Sequence, residues 1–192
     1  MSLDDDFGPV RKATERYEWE RECSPSSRCV LNDKVGQAMG DLLDAAASLP
    51  ITGLARSANF IWGMDAGGEI WISAEEVAQI NSLPVPKGFC ARRGLPADVS
   101  LDKKLGHPCL MMDDSARIAG EIYIDTSTGE KETLAWTINA RSGRFHREIA
   151  RRPSVAQISN AAKKFAIAMG RSVYLDLIDD ISQANSDVRL PQ

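Results

Sequence analysis

The sequence predicts an α+β protein. Its centre is an antiparallel sheet built from two hairpins and a closing strand, with helices at the N-terminus and one helix over about 154–169 packed on the sheet. Three observations carry this. Residues 118–124 alternate with period two, and Leu134, Trp136 and Ile138 alternate on a returning strand. Residues 33–48 and 154–169 repeat their apolar side chains at helical spacing. The alternating strands stand apart from the helices, which favours α+β over a parallel α/β fold.

Taken in order, the first helix expected is Pro9 to Glu22. It is highly charged, with Phe7, Val10, Tyr17 and Trp19 as its apolar members. Together with the Cys23–Cys29 loop it makes residues 1–33 a loosely packed start. A second helix runs from Asp33 to Ser48, with Asn32 as N-cap and Val35, Ala38, Met39, Leu42, Leu43 and Ala46 on one face. Pro50 follows its end. Strands at 59–64 and 69–73 flank Asp65-Ala66-Gly67-Gly68, a hairpin signal. Ser73 and Glu76 have the spacing of a capping box and predict a short helix to about Ile80. Residues 82–100 carry three prolines and two glycines and predict a long loop.

In the second half, the 118–124 strand turns at Thr126-Ser127-Thr128-Gly129 and returns through 134–138. The chain breaks at 139–143, and 145–149 is a short strand or turn. Pro153 opens the 154–169 helix and Gly170 ends it. A last strand spans 172–177, and residues 185–192 fray. Gly68-Glu69-Ile70-Trp71-Ile72 echoes Gly120-Glu121-Ile122-Tyr123-Ile124, either as a repeat or as two strands of like composition.

The chain has 192 residues, enough for one domain, with a formal net charge of −4. Hydrophobic residues make up 43% and charged residues 26%, which excludes wholesale disorder. No apolar run reaches the roughly 18 residues of a membrane span. A pI near 5.3 argues against generic nucleic-acid coating. The start, Met1-Ser2-Leu3-Asp4-Asp5-Asp6, lacks the basic and apolar regions of a secretory signal, so cytoplasmic synthesis is expected, with signal-less export left open. The four cysteines form no CxxC pair, which argues against a zinc ribbon. Cys23 and Cys29 are either a small disulfide loop or free thiols.

The strongest chemical signal is charge. Arg141, Arg144, Arg147, Arg151 and Arg152 lie within twelve residues, opposed only by Glu148. Arginine suits bidentate contact with phosphate or carboxylate. Ser142-Gly143 lets a ligand approach the backbone, and the 154–169 helix starts just beyond. One reading is a site for a phosphate-bearing small molecule or an acidic protein surface. The other is a set of solvated arginines paired with surface carboxylates. His146, inside this island, is the acid–base candidate. Glu121, an acid within an apolar strand, is either a catalytic carboxylate or ordinary strand alternation, as is Glu69. Cys109 with His146 as base and Asp113 or Asp114 as orienter is conceivable, against an inert buried thiol. Glu130-Lys131-Glu132 has the residue types of an ADP-ribosyltransferase element but reads as a charged hairpin tip. No P-loop or dinucleotide fingerprint is present, no metal set is expected, and the cofactor is left open.

His107-Pro108-x-Leu110, Ala119-Gly120-Glu121 and Asn139-x-x-Ser142-Gly143-Arg144-Phe145 together resemble a module of bacterial toxin C-terminal domains and secreted effectors. The resemblance covers about residues 105–177. Arg144 stands where the module often has histidine, and His146 where it commonly has proline. It implies a bacterial effector context and no particular reaction. The expectation is an effector-like domain that binds an anion through Arg141, Ser142, Gly143, Arg144 and Arg147, with His146 and Glu121 as catalytic candidates. The alternative is a non-catalytic protein-binding module contacting partners through 82–100 and the charged first helix. Under the enzyme reading, Arg144, His146 and Glu121 converge in one concave pocket.

Overall fold

A computed structural model describes residues 2–48, 59–90, 101–126, 133–146 and 148–177. The chain is α+β. In chain order the elements are α1 (Leu3–Phe7), β1 (Arg11–Lys12), β2 (Cys29–Val30), α2 (Asp33–Ser48), β3 (Asn59–Met64), β4 (Ile70–Ala74), β5 (Val77–Ile80), β6 (Leu83–Pro84), β7 (Lys103–Lys104), α3 (His107–Leu110), β8 (Ser115–Ala116), β9 (Ile118–Thr126), β10 (Leu134–Ile138), α4 (Val155–Met169) and β11 (Val173–Leu175). Short 3-10 turns sit at Glu18–Arg21 and Ile149–Arg151.

Six strands form the main sheet in the order β11-β10-β9-β3-β4-β2. The two expected hairpins, β3–β4 and β9–β10, lie side by side through β3 and β9. All pairs are antiparallel except β10–β11, because the chain returns to the same edge through α4 and must run parallel to β10. The closing strand is therefore parallel, and the sheet is mixed.

Strand alternation gives the sheet two different faces. Phe60, Trp62, Met64, Ile70, Ile72, Ile118, Ile122, Ile124, Trp136 and Ile138 point to the helical side. There they meet Met39 and Leu43 of α2, Ile158, Phe165 and Met169 of α4, and Phe7 of α1. Trp62 and Phe165 pack edge to face with centroids 5.7 Å apart, and the Trp136 indole N–H donates to the Met39 carbonyl at 3.2 Å. Burying an aromatic of this size is worth several kcal/mol, about 3–5 when it is deleted. The helix α4 is closed at its start by a capping box, Ser154 with Gln157, and ends at Gly170.

On the opposite face a smaller apolar cluster joins Ile61 and Ala119 to Leu110, Met111, Ala116 and Phe145. Beyond it the same face turns polar. Ser73 and Glu121 both lie opposite Ile61, and Tyr123 and Thr137 continue the face across β9 and β10. Glu75 extends it from β4, its N–H donating to the Asn59 carbonyl at 3.4 Å.

Two expected helices are absent. The 9–22 segment has no continuous apolar stripe. Arg11–Lys12 instead pairs with Ser115–Ala116, and Ser2 with Asp5 caps an earlier helix, α1, that buries Phe7. The segment is also not loose throughout, since Glu20 is 2% exposed. The 73–80 helix is strand. Glu76 does not cap Ser73; its carboxylate accepts hydrogen bonds from the N–H and hydroxyl groups of Ser26 and Ser27. Burial pushes that carboxyl up, but these four donors outweigh it and hold it below the ordinary value. The expected 82–100 loop begins with β6, and its 91–100 part lies outside the described residues, as does the 185–192 tail.

Candidate functional site

The site grows from a close crossing. After β10 the chain passes over Gly120 of β9, and a Cβ there would lie 2.0 Å from the Asn139 carbonyl oxygen. Only glycine leaves room for that backbone. The crossing seats the Asn139 side chain beside Glu121. Its Oδ1 accepts the N–H of Glu121 at 3.1 Å and of Arg141 at 2.9 Å. The Asn139 N–H donates to the Glu121 carbonyl at 3.0 Å.

The other motifs arrive at the same place. His107, at the start of α3, donates from Nε2 to the Gly120 carbonyl at 2.8 Å. The Ser142 carbonyl accepts the His146 N–H at 2.8 Å, and His146 Nε2 accepts the Ala119 N–H at 3.0 Å. Three segments, His107–Leu110, Ala119–Glu121 and Asn139–His146, thus form one hydrogen-bonded unit.

Glu121 is the chemically distinctive member. It is half-buried on the polar part of the sheet face. Burial first, and then the neighbouring Glu75 charge, raise its carboxyl above the ordinary value; Lys104, Asn139 and Arg141 oppose them. Lys104 is ion-paired with Glu75. Arg141 lies 3.4 Å from Asp176, which also accepts the Tyr123 hydroxyl. Glu121 has no ion-pair partner among the described residues. His107 is held below its usual value by burial, so it stands neutral, with its proton on Nε2 facing a carbonyl. Its Nδ1 makes no hydrogen bond among the described residues.

Three buried polar atoms near this unit lack hydrogen-bond partners among the described residues: Asn139 Nδ2, Ser142 Oγ and Ser73 Oγ. The Asn139 amide cannot turn over, because two backbone donors fix Oδ1 where it is. Nδ2 is therefore the end that faces the Glu121 carboxyl, which it helps to hold down, on a side chain 1% exposed. Such groups are rare in folded proteins.

The residues singled out from the sequence fall in separate places. His146 is 7% exposed. Its Nε2 accepts an N–H, so Nδ1 carries the proton, which goes to the Arg151 carbonyl at 3.0 Å. Burial foremost holds its pKa down to about 4. With both nitrogens engaged by backbone, His146 fastens the turn to β9 and is not poised for proton transfer. Arg144 leans over the Tyr17 ring, 4.5 Å from its centroid, and reaches Glu20 at 3.4 Å and Glu15 at 3.9 Å. Ser142 is buried, Gly143 is exposed with open space beside it, and Arg147 lies outside the described residues. The expected convergence of Arg144, His146 and Glu121 in one pocket is not found, since the three have different partners.

Cys109 is buried. Burial chiefly pushes its thiol up to about 12, and His146 is committed elsewhere, so the nucleophile–base pair is not formed. Asp113 bonds Ser115, and Asp114 is ion-paired with Arg16. Cys23 and Cys29 are unbridged. Glu69 is exposed at the β3–β4 turn, unlike Glu121, and Glu130-Lys131-Glu132 lies outside the described residues.

Glu75 and Lys104 were not marked by any local signal. They reach Glu121 through tertiary structure. Asn139 and His107 stood out in the sequence only within three short motifs, and the crossing at Gly120 is where those motifs meet.

Among the described residues, no group of three or more His, Cys, Asp or Glu could hold a metal ion, and no helix is long and apolar enough to cross a membrane. No family model, curated protein or solved structure matches the chain.

Proposed function

We propose that the protein is an effector-type domain doing acid–base chemistry at Glu121. The observation that carries this is a half-buried carboxyl with a raised pKa, without an ion-pair partner among the described residues, where three separated segments meet. A carboxyl of this kind keeps its proton to higher pH and acts as a general acid. Neutral His107, with its Nδ1 lone pair, is the candidate acceptor. Lys104 and Glu75 tune Glu121 in opposite directions. The bacterial effector context rests on the resemblance of the three motifs, which the Gly120 crossing joins.

Growth of bacterial and yeast cells under induced expression tests this reading. Wild type slows growth, and the near-isosteric Glu121→Gln, at equal soluble level, does not. Equal growth of the two overturns it.

The phosphate reading of the arginine-rich turn requires an anion to displace protein carboxylates, because Arg141 and Arg144 face Asp176, Glu15 and Glu20. A thermal shift with ATP, NAD, inositol hexakisphosphate or sulfate that vanishes in Arg144→Ala would favour it.

The docking reading has one specific observation. Tyr17, 45% exposed, stacks with Trp19 at 6.4 Å between centroids, and Arg144 and Lys103 cap the two rings. Loss of the growth effect in a Tyr17→Ala, Trp19→Ala double variant with Glu121 intact would favour this ledge as a partner contact.

A further inference from the structure

The arginine-rich turn divides into two halves. Arg141 and Arg144 face protein carboxylates. Arg151 is laced to β1 instead, its guanidinium donating to the Lys12 carbonyl. Arg11 donates back to the Ala150 carbonyl at 3.3 Å. The lacing gathers Arg11, Lys12 and Arg151 where α4 begins. None of the three has an ion-pair partner among the described residues. Arg152, exposed, follows in the chain.

These charges are poorly balanced. Of the acids nearest in sequence, Glu15 is taken by Arg144, and Glu148 sets one charge against three. The acids of α1 lie farther along α4, where the Asp6 carbonyl holds the Asn160 amide. That is about 9 Å of helix beyond Ser154, roughly one Debye length at physiological salt. The first turn of α4 carries no acid to offset its positive end. Arg11 and Arg151 both press the His146 pKa down, so their field reaches into the fold.

Two aliphatic side chains accompany the cations. Val10 and Val155 are each 40% exposed. Val10 lies between Arg11 and Gly8, where a Cβ would come within 3.4 Å of the Gln157 side chain, so it too stands at the start of α4. Cations beside exposed aliphatic residues fit an anionic bilayer, which takes the charges at its headgroups and the aliphatic groups between them. A single-stranded nucleic acid gains from rings on which its bases stack, and none of these six residues is aromatic. An acidic peptide would be held by the cations alone.

We propose that this end of the molecule docks on an anionic lipid surface through Arg11, Lys12, Arg151 and Arg152, with Val10 and Val155 entering the headgroup layer. The surface is separate from Glu121, so this proposal and the acid–base reading stand or fall independently.

Co-sedimentation with vesicles tests it, using phosphatidylcholine alone and phosphatidylcholine with about 30% phosphatidylserine. Wild type is expected to bind the anionic vesicles roughly tenfold or more tightly than the neutral ones, and to be released at about 0.5 M salt. Lys12 is exposed, and its side chain makes no hydrogen bond or ion pair among the described residues, so Lys12→Glu keeps the fold. It is expected to bind about tenfold more weakly. A Val10→Ser, Val155→Ser double variant is expected to bind several-fold more weakly at unchanged charge. Thermal melting of each variant checks that it is folded. Equal binding to both vesicles, no binding to the anionic ones, or undiminished binding by Lys12→Glu overturns the proposal. Undiminished binding by the valine variant overturns the lipid assignment and points to an acidic protein partner held by charge.

Discussion

His146 and Glu121 are both partly or wholly buried ionisable groups, yet their surroundings give them opposite roles. His146 is bonded on both sides by backbone, and protonating it would set an Nε2–H against the Ala119 N–H. Its pKa falls from 6.5 in the unfolded chain to about 4 in the fold. Between those values the unfolded chain binds the extra proton, so this contribution is complete above pH 6.5 and is lost as pH falls to about 4. Urea unfolding across that range should show stability declining in wild type. His146→Ala should lose roughly 2–4 kcal/mol at pH 7, because it strands two backbone groups and opens a cavity. Glu121 has the reverse sign. Its folded pKa is raised, so the fold holds its proton more tightly than the unfolded chain does, and stability falls as pH rises above the ordinary carboxyl value. Glu121→Gln should therefore be more stable than wild type at pH 7 in the same assay. A destabilised Glu121→Gln would count against a strained functional carboxyl. The sequence named both as catalytic candidates but could not separate them: a histidine among arginines reads as reactive until its two backbone partners are known, and an acid in a strand reads equally as alternation until Glu75 is found beside it.

At the scale of elements, the sequence read well where local pattern and tertiary demand agree. The boundaries of α2, β3 and β10 match the apolar periodicity, and α4 starts just after Pro153 and ends at Gly170 as expected, with Ser154 and Gln157 forming its capping box. Ser154→Ala should cost about 1 kcal/mol in urea unfolding without altering the site. The pattern misled where a polar side chain had a distant partner. Glu76 has capping spacing from Ser73, but Ser26 and Ser27, some 50 residues away, supply its hydrogen bonds. The parallel direction of β11 was also hidden, since it follows from the path through α4 rather than from the strand itself. The Gly120 crossing is the element-scale keystone of the site. Gly120→Ala would press a methyl group into the Asn139–Ala140 backbone, with approaches of 2.0 to 2.8 Å. It should cost upwards of 3 kcal/mol or prevent folding, and any folded fraction should lose the hydrogen bonds of Asn139 to Glu121. A Gly120→Ala protein of normal stability would show that the crossing is not required.

For the molecule as a whole, one sheet divides two kinds of chemistry. Its helical face is a continuous apolar core, and its other face passes from a small apolar cluster to a polar centre. The four cysteines are free, so a reductant should leave the melting temperature unchanged, and Cys109 should react with a thiol reagent only on unfolding. The polar centre is where the three separated motifs meet, and Glu121 is the working group we propose for it. The most direct measurement is the pH titration of the Glu121 carboxyl carbon by NMR, in wild type, Glu75→Gln and Lys104→Met. The account predicts a pKa raised above the ordinary carboxyl value in wild type, lowered in Glu75→Gln and raised further in Lys104→Met. A Glu121 that titrates at or below the ordinary value, indifferent to both neighbours, would contradict it.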